Sequence, residues 1–202
     1  MDSAQNPYSP GAGRRPRELA GREAELARFD VLRGRVESGG ADRGLILTGL
    51  RGVGKTVLLN ELRSQTERAG WIVAKIEAGS RPLMRALIAQ SLNQSLRSAT
   101  GRFGSSGLLR RALGVFKAFT LKTAADGSFA LGIDIEPDRG RADTGDLGID
   151  LTELTHDLGA AAGELGVGAL LLVDEMQDLA REELAALAAA SHETAQRDLP
   201  FL

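Results

Sequence analysis

The chain has 202 residues, no cysteine and a net charge of −2. It therefore has no disulfide framework or thiolate metal site, and no excess charge to draw it to nucleic acid or to an anionic membrane. Hydrophobic residues make up 43% and charged residues 26%, which suits one substantial core, and no apolar run is long enough to span a bilayer.

In chain order, residues 1–18 are polar and rich in Pro, Gly, Ser and Arg, and read as a disordered leader. They lack the apolar stretch of a secretory signal, so a cytoplasmic protein with no membrane segment is expected. Leu26, Phe29, Leu32 and Val36 recur at helical spacing and predict a helix from about residue 22 to 37, ended by Gly39-Gly40. Leu45-Ile46-Leu47-Thr48 reads as a short buried strand. A Gly-rich turn follows, then a helix that stops near Gly70. A second strand is expected over 71–76 and a long helix from about Pro82 to Ala99.

The pattern changes after Thr100. Residues 101–107 read as a flexible connection, with a short helix over 108–116. Asp126-Gly127, between Phe119-Thr120-Leu121 and the alternating Phe129, Leu131, Ile133 and Ile135, predicts a β-hairpin. Residues 137–148 read as loop, and the whole stretch 100–150 as an insertion. A helix over 151–165, a buried strand over 169–173 and a helix over 181–197 complete the pattern. Alternating strands and helices predict an α/β fold with a parallel sheet covered on both faces.

Two segments carry chemistry. Gly49-Leu50-Arg51-Gly52-Val53-Gly54-Lys55-Thr56 fits G-x-x-x-x-G-K-[ST] at every fixed position, between an expected strand and a helix. Gly49 and Gly54 let the backbone turn tightly against an anion, and successive N–H groups form a nest for it. The helix N-terminus that begins near Val57 adds partial positive charge. Lys55 brings a compact cation for β- and γ-phosphates, and the Thr56 hydroxyl an oxygen suited to Mg²⁺. The second segment ends the strand at 169–173, where Asp174 and Glu175 emerge at the carboxyl edge of the sheet. There Asp174 can hold Mg²⁺ and Glu175 can orient an attacking water.

Together these segments resemble the Walker A and Walker B motifs of AAA+ ATPases. Leu19-Ala20-Gly21-Arg22-Glu23-Ala24-Glu25-Leu26 is similar to the segment before the P-loop in origin-recognition-type and signal-transducing members of that family. The resemblance covers about residues 19–99 and 150–202. It implies a three-layer P-loop NTPase core, ATP and Mg²⁺ as ligands, and nucleotide contacts from Gly49, Gly52, Val53, Gly54, Lys55, Thr56 and Val57. It places Gly21 and Arg22 near the adenine and ribose. It gives Lys55 and Glu175 catalytic roles, and Thr56 and Asp174 metal-holding ones. It implies ATP hydrolysis in a complete protein, with a nucleotide-controlled switch of little turnover as the alternative. A DNA or protein partner, reached through regions outside this chain, and homo-oligomerisation both stay open.

Family members carry a further strand between the P-loop strand and the Walker B strand. Leu199-Pro200-Phe201-Leu202 resembles its beginning. The sensor residue at its end, a fifth strand and a helical lid are not found here, so the core is expected to be partial, incomplete at its C-terminus, over residues 19–202. Two strand edges are then expected to lack their partner. Elsewhere, His156 and His192 read as helix-surface residues, Gln177 and Asp178 as caps of the next helix, and Arg110, Arg111, Lys117 and Lys122 as a solvated basic face.

Overall fold

The computed structural model describes residues 21–40, 42, 44–79, 83–104, 106–122 and 135–202. The leader, Leu19-Ala20 and the turn of the expected hairpin, with Phe129, Leu131 and Ile133 of its second arm, lie outside the described residues. The elements are α1 (Glu23–Glu37), α2 (Lys55–Arg68), β1 (Ile72–Glu77), α3 (Met84–Phe103), α4 (Gly107–Leu121), α5 (Leu147–Glu164), β2 (Ala169–Asp174), a 3-10 turn (Met176–Asp178) and α6 (Arg181–Gln196).

β1 and β2 pair in parallel, from Ile72 opposite Ala169 to Glu77 opposite Asp174. Side chains alternate along each strand, so each face has its own core. Ile72, Ala74 and Ile76 pack with Met84, Ile88 and Leu96 of α3, Leu113 and Phe116 of α4, and Leu154 and Leu158 of α5. Val73, Leu170 and Leu172 face the other way, onto Phe29 and Val36 of α1 and Leu58 and Leu62 of α2. The second face carries α2, which packs on both strands.

A third segment adds to the far edge of β2. The Ala169 N–H donates to Pro200 O at 2.8 Å, Leu202 N–H to Ala169 O at 2.9 Å, and Leu171 N–H to Leu202 O at 2.8 Å. This is the parallel pairing expected of Leu199–Leu202.

Two expectations fail. Residues 44–50 are extended but join no sheet among the described residues, and Ile46 is 68% exposed. A cavity of about 740 Å³ is lined by both Leu45-Ile46-Leu47 and the stretch Leu170–Asp174, and no backbone hydrogen bond joins the two among the described residues. Apolar, β-prone residues are not sufficient for a strand when the neighbouring edge is missing. The other failure is the first arm of the hairpin. Phe119-Thr120-Leu121 is the last turn of α4, not a strand. Leu109, Ala112, Leu113, Phe116 and Phe119 recur at helical spacing and are all fully buried, and the Ser106 hydroxyl caps the helix by accepting from Leu109 N at 3.2 Å. Burial along that stripe outweighs the β preference of Phe and Thr.

The helix termini are stitched by side chains distant in sequence. The Glu183 carboxylate accepts from Ala180 N at 3.0 Å and from Met84 N at 3.2 Å, joining the starts of α3 and α6. Asp150 is fully buried at the start of α5. It accepts from Thr144 N (2.9 Å), Thr144 Oγ1 (2.7 Å), Gly145 N (3.0 Å) and the Arg85 guanidinium. Burial pushes its carboxyl up, but the bonds from Thr144, Arg85 and Gly145 together outweigh it and hold the group below its ordinary value.

Candidate functional site

The loop between residue 48 and α2 has the backbone its glycines permit. Gly52 and Gly54 take φ of +82° and +88°, a region that a Cβ makes costly. Gly54 is the N-cap of α2, so the first N–H groups of the helix have no intrahelical acceptor. At Gly49 a Cβ would lie 3.3 Å from the Val53 side chain, a tight contact that Val53 would have to relieve by a few tenths of an ångström. Lys55 turns back over this loop, and its ammonium donates to Gly49 O and Leu50 O at 2.9 Å each. Thr56 and Val57 are half-buried in the first turn of α2, and Arg51 is exposed.

Arg22 reaches the loop from the start of α1. Its guanidinium donates to Val53 O and to Glu25 Oε1, the latter at 2.7 Å. The Arg22 bond, then a backbone bond, holds the Glu25 carboxyl below its usual value. Gly21 has no hydrogen bond to the loop among the described residues; its N–H donates to Glu23 Oε1 at 3.2 Å at the start of α1.

Asp174 ends β2 and is buried, while Glu175 beside it is exposed. Asp174 Oδ1 accepts from Glu175 N at 3.1 Å. Asp174 Oδ2 is buried without a hydrogen bond, and its neighbour is the Lys75 ammonium at 3.3 Å. Glu175 has a left-handed backbone, φ 51° and ψ 39°, which costs a non-glycine residue about 1 kcal/mol. Its carboxylate accepts from Gln177 Nε2. Gln177 thus holds Glu175 rather than capping α6, whose N-cap backbone is bonded by Glu183.

Lys55 and Asp174 line the same cavity of about 740 Å³, together with Met176, Gln177 and His192. The fold therefore brings the loop cation and the strand-end acid to the lining of one cavity, although they stand 119 positions apart in sequence. Asp174 has one buried carboxylate oxygen without a hydrogen bond, the kind of hard oxygen donor that Mg²⁺ takes, whereas Thr56 and Glu175 are not among the residues that line this cavity. Among the described residues no cluster of three His, Cys, Asp or Glu offers a self-contained metal cage.

Two participants were not read from the sequence: Lys75, beside Asp174, and Asn60, whose Oδ1 accepts from the Lys75 ammonium at 2.7 Å. A lysine inside the apolar run Trp71–Ile76 is the one signal that could have marked the first. Of the expected basic face, Arg110, Arg111 and Lys122 are exposed, Arg111 pairing with Asp157 at 2.9 Å, while Lys117 is half-buried and donates to Ile135 O.

An α/β fold with a glycine loop feeding a helix, and an acid-ended strand packed against that helix, defines a nucleotide-binding class of protein. Residues 18–202 match the AAA ATPase domain family, and the chain belongs to that family. No curated protein and no solved structure matches it. Nucleotide binding follows from membership. No helix among the described residues is long and apolar enough to cross a membrane.

Proposed function

We propose that this chain binds ATP with Mg²⁺ at the loop of residues 49–56, in a three-layer P-loop core of the origin-recognition-like type, and that in the complete protein this site hydrolyses ATP to ADP and phosphate. The observation that carries the reading is the single cavity shared by Lys55 and Asp174. Backbone N–H groups of Gly52, Val53, Gly54 and Val57 and the ammonium of Lys55 would take the phosphates, once Lys55 leaves the Gly49 and Leu50 carbonyls. Thr56 and Asp174 would hold the Mg²⁺, which supplies charge neutralisation at the β- and γ-phosphates when bound. Glu175, held by Gln177, would orient and polarise the attacking water. Arg22, tied to Val53, would fix the side of the loop nearest the base, with Gly21 opening the helix beside it.

The unpaired stretch 44–50 favours a second reading, in which ATP acts as a switch with little turnover. A loop whose leading segment is not held in the sheet presents its catalytic groups imprecisely, and an error of about 1 Å lowers a rate severely. A DNA or protein partner, or further copies of the chain, would then read the nucleotide state, in the cytoplasm. Calorimetric titration with Mg-ATP separates these cases. Binding by the unaltered chain that is lost in Lys55→Ala supports the site, and equal binding by both would refute it. Rapid multiple turnover would refute the switch.

A further inference from the structure

The face of the sheet under α2 is apolar except at its carboxyl end, where Lys75 and Asp174 lie with the exposed Glu77, which stands directly opposite Asp174. Val73 and Lys75 of β1 share it with Leu170, Leu172 and Asp174 of β2. Lys75 lies opposite Leu172, so Asp174 is its diagonal neighbour, within reach of a long side chain. The two side chains are only 12% and 5% exposed, and their charged ends are 3.3 Å apart. The Lys75 ammonium also donates to Asn60 Oδ1 of α2 at 2.7 Å. One lysine thus ties the strand-end acid to the helix that carries Lys55 and Thr56.

We propose that Lys75 is a positioning residue that neutralises Asp174 in the metal-free protein and must yield the carboxylate before a divalent cation can bind there. This rests on the reading of Asp174 as a metal-holding acid. Two cations cannot share one buried carboxylate oxygen without strong repulsion, so the pair sets the affinity of the site for metal. Asn60 makes the exchange feasible. It keeps an acceptor on the ammonium after Asp174 turns away, so the buried lysine is never left without a bond. Because Asn60 is on α2, the exchange couples metal binding to the P-loop helix.

The test titrates Mn²⁺ into the nucleotide-free protein and reads free metal by electron paramagnetic resonance, for the unaltered chain, Lys75→Gln and Lys75→Arg. Lys75→Gln, which removes the charge, should tighten Mn²⁺ binding by about tenfold, the scale of one charge removed at a few ångströms from a partly screened site. Lys75→Arg, which keeps the charge, should restore the weaker binding. Equal affinity in all three would overturn the proposal. Should Lys75→Gln fail to fold by circular dichroism, the unaltered protein still decides. With ¹⁵N-lysine labelling, Mg²⁺ should shift the Lys75 ammonium signal among those of Lys55, Lys117 and Lys122, and an unmoved signal would overturn the idea. ATP titration of the same samples keeps the two readings apart. Tighter Mn²⁺ binding with no Lys55-dependent ATP binding would sink the proposed function alone. Lys55-dependent ATP binding without any Lys75 effect would sink only this inference.

Discussion

Replacing Asp150 by alanine should destabilise the fold by about 3 kcal/mol at neutral pH. The substitution removes four hydrogen bonds, from Thr144 N, Thr144 Oγ1, Gly145 N and Arg85. Thr144 and Gly145 are exposed, so water replaces their lost acceptor at small cost. Arg85 is different: its side chain is only 10% exposed, and the substitution strands a buried guanidinium. Breaking a buried pair in this way costs roughly 3–5 kcal/mol. Arg85 retains the Phe119 carbonyl at 3.4 Å and the Phe119 ring at 4.4 Å, worth about 1 kcal/mol, which places the expected cost at the lower end. The pH dependence has a definite sign. Because the folded Asp150 carboxyl is held below its ordinary value, its contribution is complete above the unfolded value of about 3.9 and is lost as pH falls toward the folded one. Urea unfolding followed by circular dichroism at pH 7 and at pH 3 measures both effects, and the gap between the two proteins should narrow in acid. The double variant Arg85→Leu/Asp150→Ala should lose less than the sum of its single changes. A loss below about 1 kcal/mol for Asp150→Ala, or strict additivity in the double variant, would refute the assignment of Asp150 as the counter-charge of a buried arginine.

Gly168→Ala should destabilise by at least about 2 kcal/mol, because its Cβ would meet the Trp71 ring at 2.5 Å and overpack the entry to β2. The Trp71 fluorescence should change with it, and an unaltered melting temperature would contradict the packing. Glu175→Gly should raise stability slightly, by up to about 1 kcal/mol, since glycine tolerates the φ of 51° without strain. The same change should leave ATP binding intact and remove any turnover, and a phosphate-release assay beside a thermal melt checks both parts.

How much was legible depended on the range of the interactions involved. β1, β2 and the helices α1, α2 and α6 fall close to where the sequence pattern puts them, while α3 and α4 run four and five residues past their expected ends and α5 begins four residues early, since the 2.0 and 3.6 residue repeats are local properties of the chain but element ends are not. The loop of residues 49–56 was legible for the same reason: its glycines, lysine and threonine act within eight consecutive positions. Leu45–Thr48 could not be read correctly from its own residues. A strand exists only if another backbone pairs with it, and here none does among the described residues. Phe119–Leu121 failed similarly, because the buried stripe it completes begins at Leu109, outside the window of the apparent hairpin.

The composition and order of residues determined that this is an α/β chain with a phosphate-type loop and an acid-ended strand, because those signals are written in neighbouring positions. Only the tertiary structure decided what faces what. Arg22 reaches Val53, Arg85 meets Asp150 and Lys75 meets Asp174, pairs that no periodicity links. A charge in a sequence has many potential partners. Packing selects one by burying both, and in a low-dielectric interior that choice is enforced by the cost of leaving either unpaired.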